Sequence, residues 1–260
     1  MIQRKSIFPN VIELNLQVGR IIGCNVYLIH DAHEWALLDV GYQDSIEEIV
    51  ELIRQLDFPF SRCRTLIATH ADVDHVQALA SAKQALRTTV TAHRLAAPLI
   101  ESGDRLRTFA QIPAQNIELE IAPVKVERTV EDGDIIRVGD LELEAWWTPG
   151  HTEGHLSLRF GDLLFSGDNI YRDGCVGAID AHHGSDLQAF IRSLQRIRDS
   201  NVAWLLPSHG PYFRKDNRLL DSTIARLERY LHMADFGTCA IDWPLLDEWE
   251  REIAEGRLPE

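Results

Sequence analysis

Thr69-His70-Ala71-Asp72-Val73-Asp74-His75 is the stretch on which the reading of this chain turns. Two histidines and two aspartates fall within six residues, directly after the apolar run Thr65 to Ala68. That run reads as a short buried strand, and a helix is predicted to follow from about Asp74 to Leu86. A strand-to-helix loop can turn several side chains toward one point, and loops above a rigid sheet are where sites concentrate. Imidazole nitrogen and carboxylate oxygen are donors that Zn²⁺, Fe and Mn²⁺ accept. At this point the plainer alternative, a polar loop with helix-capping aspartates, stays open.

Working outward, strands are predicted at 11–16, 20–30 and 35–40, with a hairpin turn at Gly19 and Arg20. A helix capped by Asp44 or Ser45 runs to about Leu56, because Ile46, Ile49, Val50, Ile53 and Leu56 recur at helical spacing. After the helix at 74–86 come a strand at 88–92, a helix at 94–102 and an irregular excursion over 103–118. Strands follow at 119–129, 134–138, 141–147, 155–160 and 162–166, with Gly-Asp pairs at 133–134, 139–140 and 161–162 marking turns. A helix at 186–199 leads to a strand at 202–206, and the tail is helical at about 217–233 and 244–255. Strand groups with helices, repeated approximately twice, predict α/β layers around two mixed sheets. No linker or repeat divides the chain, so residues 1–260 read as one domain with a helical C-terminal extension from about residue 212.

Three later segments strengthen the metal reading. Thr148-Pro149-Gly150-His151-Thr152-Glu153-Gly154-His155 follows a strand and has the small residues of a tight turn. Phe165-Ser166-Gly167-Asp168 sets a carboxylate at a strand end, and Leu206-Pro207-Ser208-His209-Gly210-Pro211 sets a histidine at another. Each follows a hydrophobic strand, so all can converge on one sheet edge.

Together these segments resemble the metallo-β-lactamase superfamily, specifically its glyoxalase II-like and lactonase-like hydrolases. The order and rough spacing match over residues 11–211. The resemblance implies an αββα sandwich of two mixed sheets flanked by helices. It makes His70, His151 and Asp168 ligands of one metal, and Asp74, His75, His209 and the shared Asp168 ligands of a second. One position departs: Asp72 stands where the family usually has a second histidine. Flavodiiron proteins are similar in carrying an acidic residue there. With three ligand carboxylates, two divalent ions and a hydroxide the site is neutral, where a two-carboxylate site would carry one positive charge. Its water should ionise at higher pH, and it should suit harder metals better. If Asp72 instead points away, the first metal is weak or absent. The cofactor expected is thus a pair of divalent ions, zinc first, with iron or manganese admitted by Asp72.

Composition bounds the function. Hydrophobic residues at 45% and charged residues at 25% describe an ordinary globular protein. Lys and Arg total 26 against 40 Asp and Glu, a formal charge of −14 that repels phosphate backbones and anionic lipid. No apolar run is long enough to span a bilayer, and no signal-peptide core is evident. Cys24, Cys63, Cys175 and Cys239 are scattered and read as reduced and mostly buried, which predicts a cytoplasmic protein. The partner expected is a small-molecule substrate, with no nucleic acid or membrane; a homodimer is left open.

The reading that results is a metal-dependent hydrolase cleaving an ester, thioester or lactone through a metal-bridging hydroxide, with Asp74 orienting the nucleophile and carrying its proton. The alternatives are a di-iron redox or oxygen-handling protein and a non-catalytic metal-containing sensor module. His155 reads as a support rather than a ligand. His182-His183 reads as a solvated loop, and Tyr171 and Tyr212 as packed aromatics, each with an oxyanion or substrate role as the alternative. Trp146-Trp147 reads as core plus sheet edge.

Overall fold

The computed structural model describes residues 3–17, 23–113, 116–179 and 183–231. The first half runs β1 (Gln3–Phe8), β2 (Val11–Asn15), β3 (Asn25–His30), β4 (Trp35–Leu38), α1 (Ile46–Gln55), β5 (Cys63–Ile67), α2 (Val73–Val76), α3 (Leu79–Leu86), β6 (Val90–His93) and α4 (Ala97–Ser102). The strand pair β7 (Gln111–Ile112) and β8 (Ile117–Glu118) and then β9 (Arg128–Val130) follow. The second half runs β10 (Ile135–Val138), β11 (Leu141–Trp147), β12 (Leu156–Phe160), β13 (Leu163–Gly167), α5 (Leu187–Asp199), β14 (Trp204–Pro207), β15 (Phe213–Arg214) and α6 (Asn217–Tyr230).

Among the described residues one sheet has the order β1-β2-β3-β4-β5-β6-β9 and the other β10-β11-β12-β13-β14-β15. Both are mixed: β4, β5, β6 and β9 pair in parallel, as do β13 and β14, while the other neighbours are antiparallel. Strand alternation explains the layering. Tyr27, Ile29, Ala36 and Leu38 of the first sheet meet Leu143, Leu158, Phe165 and Leu206 of the second. Their neighbours in sequence, Val26, Leu28, Trp35 and Leu37, point the other way onto α1 and α3. Leu164 and Leu205 likewise face α5 and α6. Both faces of each sheet are covered at its centre, so central strands such as β3, β4 and β13 are buried on both sides. Truncating a side chain of the middle layer such as Phe165, which has no exposed surface, would cost about 3–5 kcal/mol. This is the αββα sandwich.

Four departures from the sequence reading have physical causes. Residues 119–129 form no continuous strand; only Arg128–Val130 joins a sheet. The alternation of Leu119, Ile121, Val124 and Val126 is real, but Pro123 lacks an N–H. The remaining donors go piecemeal to Ala110 O, Ile100 O, Glu101 Oε1 and Val90 O. The helix expected over 74–86 is broken, because the Ala78 N–H goes to Gly41 O instead of closing a helical turn. Strand β1 escapes an apolar pattern, since its exposed residues sit at a sheet edge. Ser45 precedes α1 but its hydroxyl makes no capping bond. The turn at Gly19 and Arg20, and the tail beyond Leu231 with its expected helix at 244–255, lie outside the described residues.

Cys24, Cys63 and Cys175 form no disulfide among the described residues, with Cys24 buried and the other two half-buried; Cys239 lies outside them. No helix among the described residues is long and apolar enough to cross a membrane.

Candidate metal centre

Strands β4 and β5 run in parallel, as do β13 and β14, while β11 and β13 each run antiparallel to β12. The C-terminal ends of these strands therefore lie along one edge, and every residue singled out by the sequence hangs from them. Loop ends after β5, β11, β13 and β14 deliver His70 to His75, His151, Asp168 and His209, respectively.

Two clusters result, and a third grouping, His70, His75 and Asp168, bridges them. His70, Asp72 and His151 bring one donor atom each within 4.8 Å of one another, and so do Asp74, His75 and His209. Asp72 turns into its cluster: Oδ2 lies 3.1 Å from His151 Nε2 and 3.5 Å from His70 Nε2. Asp74 Oδ2 lies 3.4 Å from both His75 Nε2 and His209 Nε2. Asp168 Oδ2 stands between the clusters, 3.6 Å from His151 Nε2, 3.8 Å from His75 Nε2 and 3.4 Å from His209 Nε2.

All four histidines are held the same way. His75 Nδ1 meets Asp39 Oδ2 at 2.9 Å, His151 Nδ1 meets Ala178 O at 2.9 Å, and His209 Nδ1 meets Gly23 O at 2.8 Å. His70 Nδ1 lies 2.9 Å from Thr69 Oγ1, whose hydroxyl donates to Asp39 Oδ2 at 2.9 Å. Each acceptor takes the Nδ1 proton, so that Nε2 points inward and, once any proton on it is displaced, offers the lone pair a metal ligand needs. His70 Nε2, His75 Nε2 and Asp168 Oδ1 are buried with no hydrogen-bond partner. Buried polar atoms are normally satisfied, and orphaned donor atoms on residues gathered at one place fit divalent cations.

Charges in this pocket are strongly coupled. Burial opposes ionisation of Asp168 and Asp74, but the neighbouring His75 and His209 hold both carboxyls well below the usual range. In return, against burial, Asp168 and Asp74 push His209 up to about 10 and, with Asp39, raise His75 well above its ordinary value. His151 is raised by Asp72 in the same way. His70 is lowered, by burial first and then by His75.

Asp39 is the residue that the sequence reading missed. It lies in the left-handed region at φ 59° and is buried, and its carboxylate also accepts the Thr69 N–H at 2.8 Å. The broken helix serves the same end: the His75 carbonyl accepts from both Val40 N and Gly41 N. A single acidic residue closing a strand gives no sequence signal beyond its place before Gly41.

His155 is brought beneath the centre rather than into it. Its Nε2 accepts the Asp168 N–H at 3.0 Å and its Nδ1 lies 3.0 Å from Thr148 Oγ1. Burial keeps it neutral, well below its ordinary pKa. Gly167, at φ +57°, has no room for a Cβ, which would stand 2.4 Å from His155 Nε2. Tyr171 stands by Asp168, its ring 5.6 Å from that of His209, and burial, with the Asp168 charge, keeps the phenol protonated. Tyr212 is not brought to the site; it packs against Phe8 and Trp204. His183 is exposed, with its ring 5.8 Å from Phe109, and His182 lies outside the described residues. Trp146 is buried under Arg196 and Trp147 is 39% exposed, the core and edge expected.

A family model described as the metallo-beta-lactamase superfamily matches residues 19–209. A hydroxyacylglutathione hydrolase of Rhodopseudomonas palustris is 30% identical over 60% of this chain and 53% of its own length, so the chain spans about half of that relative. An acyl-coenzyme A thioesterase of Gallus gallus is 23% identical over 73% of each chain. Among solved structures, a class B3 di-zinc metallo-beta-lactamase from an Alaskan soil metagenome superposes with a TM-score of 0.67 at 19% identity, over 88% of this chain and 93% of that one.

Proposed function

The chain belongs to the metallo-beta-lactamase superfamily and is a metal-dependent hydrolase, and on that premise we propose that it cleaves a thioester, with esters and lactones as related acyl substrates. The observation that carries this reading is the pair of donor clusters on either side of Asp168, each with two inward Nε2 atoms and a carboxylate. His70, Asp72 and His151 would hold one ion, Asp74, His75 and His209 the other, and Asp168 both. Zinc suits these donors, and the third carboxylate extends the range toward iron and manganese. Bound there, the two ions would supply Lewis acidity toward an acyl carbonyl and a water acidic enough to attack it near neutral pH.

The remaining work falls to the chain. Asp74 is the most exposed of the three carboxylates, its side chain 15% accessible against 9% for Asp72 and 6% for Asp168. It is the one that can meet water on the substrate side, accept its proton and return it to the leaving thiolate. The protonated Tyr171 phenol is a donor for the oxyanion that develops on the substrate. The acyl-coenzyme A thioesterase and the hydroxyacylglutathione hydrolase support an acyl group carried on a thiol. Four cysteines scattered along the chain suit a reducing, cytoplasmic setting.

The test is metal analysis of protein purified without added metal, with its visible spectrum and a panel of thioester, ester and lactone substrates. About two equivalents of nearly colourless divalent metal are expected, with thioester turnover that chelation removes and metal restores. An oxygen-sensitive iron chromophore without turnover would replace this reading with the redox one.

A further inference from the structure

Resting on the thioester reading, we propose that the groove between Trp147 and α5 binds the carrier half of the substrate, and that this carrier ends in a planar base bearing phosphate. The groove has a volume of about 550 Å³, the size of a small-molecule site. It lies beside the turn that carries His151. A narrow crevice of about 30 Å³ has Asp72, Thr152, Glu153 and Gly184 in its lining, and those last two residues also line the groove. A thin stem running from the centre past Thr152 toward Trp147 would have to follow this crevice and widen it. The Thr152 hydroxyl is buried in this neck with no hydrogen-bond partner, so a polar atom of a passing stem would satisfy it.

The groove has the two features that a nucleotide needs. Trp147 is a fixed platform: its ring stacks on His93 at 7° with centroids 5.7 Å apart, and its Nε1 donates to Glu153 O at 2.8 Å. The indole nevertheless stays 39% exposed, and a held, half-bare indole is a stacking surface for a base. Arg192 on α5 is exposed and makes no hydrogen bond or ion pair among the described residues. Its neighbour Arg196, by contrast, is tied to Asp132 and lies over Trp146. A free guanidinium on the wall of a groove suits phosphate. The acidic groups also set the orientation. Glu153 and Asp186 line the same groove and repel an anion, so an uncharged stem must pass there and the phosphates must lie toward Arg192.

The experiment uses the metal-loaded full chain and two thioesters: S-acetyl-coenzyme A, which carries a base and phosphates, and S-acetyl-N-acetylcysteamine, which ends before them. Trp147→Ala and Arg192→Glu are expected to lower the ratio of kcat/KM between the first and the second by about tenfold or more, mainly through KM. Trp147→Phe and Arg192→Lys should keep most of it. Calorimetry with adenosine 3′,5′-bisphosphate, which has no acyl bond, should give saturable binding that Arg192→Glu abolishes. No binding by the unsubstituted protein, or a substrate ratio unmoved by Arg192→Glu, overturns the groove assignment. Bisphosphate binding in a protein that cleaves neither thioester would keep the groove and overturn the thioester reading instead.

Discussion

The His70–Asp72–His151 cluster and the Asp74–His75–His209 cluster each present two imidazoles and one carboxylate, and both reach Asp168. Asp72 creates this match, because a histidine there would give the first cluster three imidazoles. What stands behind the donors differs. His75 is backed directly by the Asp39 carboxylate, whereas His70 reaches that carboxylate only through the Thr69 hydroxyl. His151 and His209 both rest on neutral carbonyls. A carboxylate behind an imidazole makes it a stronger electron donor. The lesson is that two sites of equal composition can differ in strength through groups that never touch the ion, with the Asp74 half expected to be the tighter.

The largest effect removes the comparison altogether. Asp168→Ala takes away the carboxylate that both clusters reach, and turnover should fall by about 10³-fold or more while the sheets stay folded. Circular dichroism beside the thioester assay checks this. Residual turnover above a tenth would mean that the clusters act independently.

Asp39→Asn should separate the halves. The amide puts an N–H₂ where a carboxylate oxygen now receives the His75 proton. Donating to Nδ1, it drives the imidazole proton to Nε2, the atom that faces the ion. Metal affinity of the second half should drop by about 10–100-fold, with the first half changed less because Thr69 intervenes. Stepwise metal titration reads both constants, and an equal loss in both halves would dissolve the asymmetry.

Protons offer a finer contrast. In the metal-free protein His75 and His209 are both raised, the latter to about 10, whereas in the first half His151 is raised and His70 lowered. Below these pKa values an ion must displace two protons from the second half but one from the first. Affinity therefore rises with pH in both, more steeply in the second half than in the first, and the His209 contribution ends near pH 10. Metal titrations from pH 6 to 8, in buffers of different ionisation enthalpy, count those protons. Equal slopes would contradict the contrast.

The sequence carried the donors far better than their supports. His70, Asp72, Asp74 and His75 were legible because they crowd one loop, and His151, Asp168 and His209 because each follows an apolar strand. Asp39 was not, since one aspartate at a strand end looks like any turn former and its partners lie 30 and 36 residues away. The two sheets were legible from alternation. The same signal misread 119–129, where apolar spacing survives but Pro123 and the scattered hydrogen bonds prevent a ladder. The groove beside Trp147 was invisible for a third reason: Trp147, Gly184 and Arg192 are remote in sequence, and only the packing of the His151 turn on α5 brings them together.

The smallest expected effect isolates Asp72. Its carboxylate turns between His70 and His151, so Asp72→His replaces an oxygen donor with an imidazole inside the first cluster. One negative charge leaves the site, and the donor becomes softer. Zinc should gain on iron and manganese under matched loading by about a few-fold. A less negative site stabilises a bound hydroxide more, so half-maximal turnover should shift to lower pH, by about half a unit to one unit. The second half keeps Asp74, His75, His209 and the Asp39 support, so its metal constant should stay within about twofold, beyond the reach of strong coupling. Metal content and the pH–rate profile of both proteins give the comparison. If neither moves, Asp72 holds no ion, and the Asp74–His75–His209 cluster with Asp168 carries the chemistry by itself.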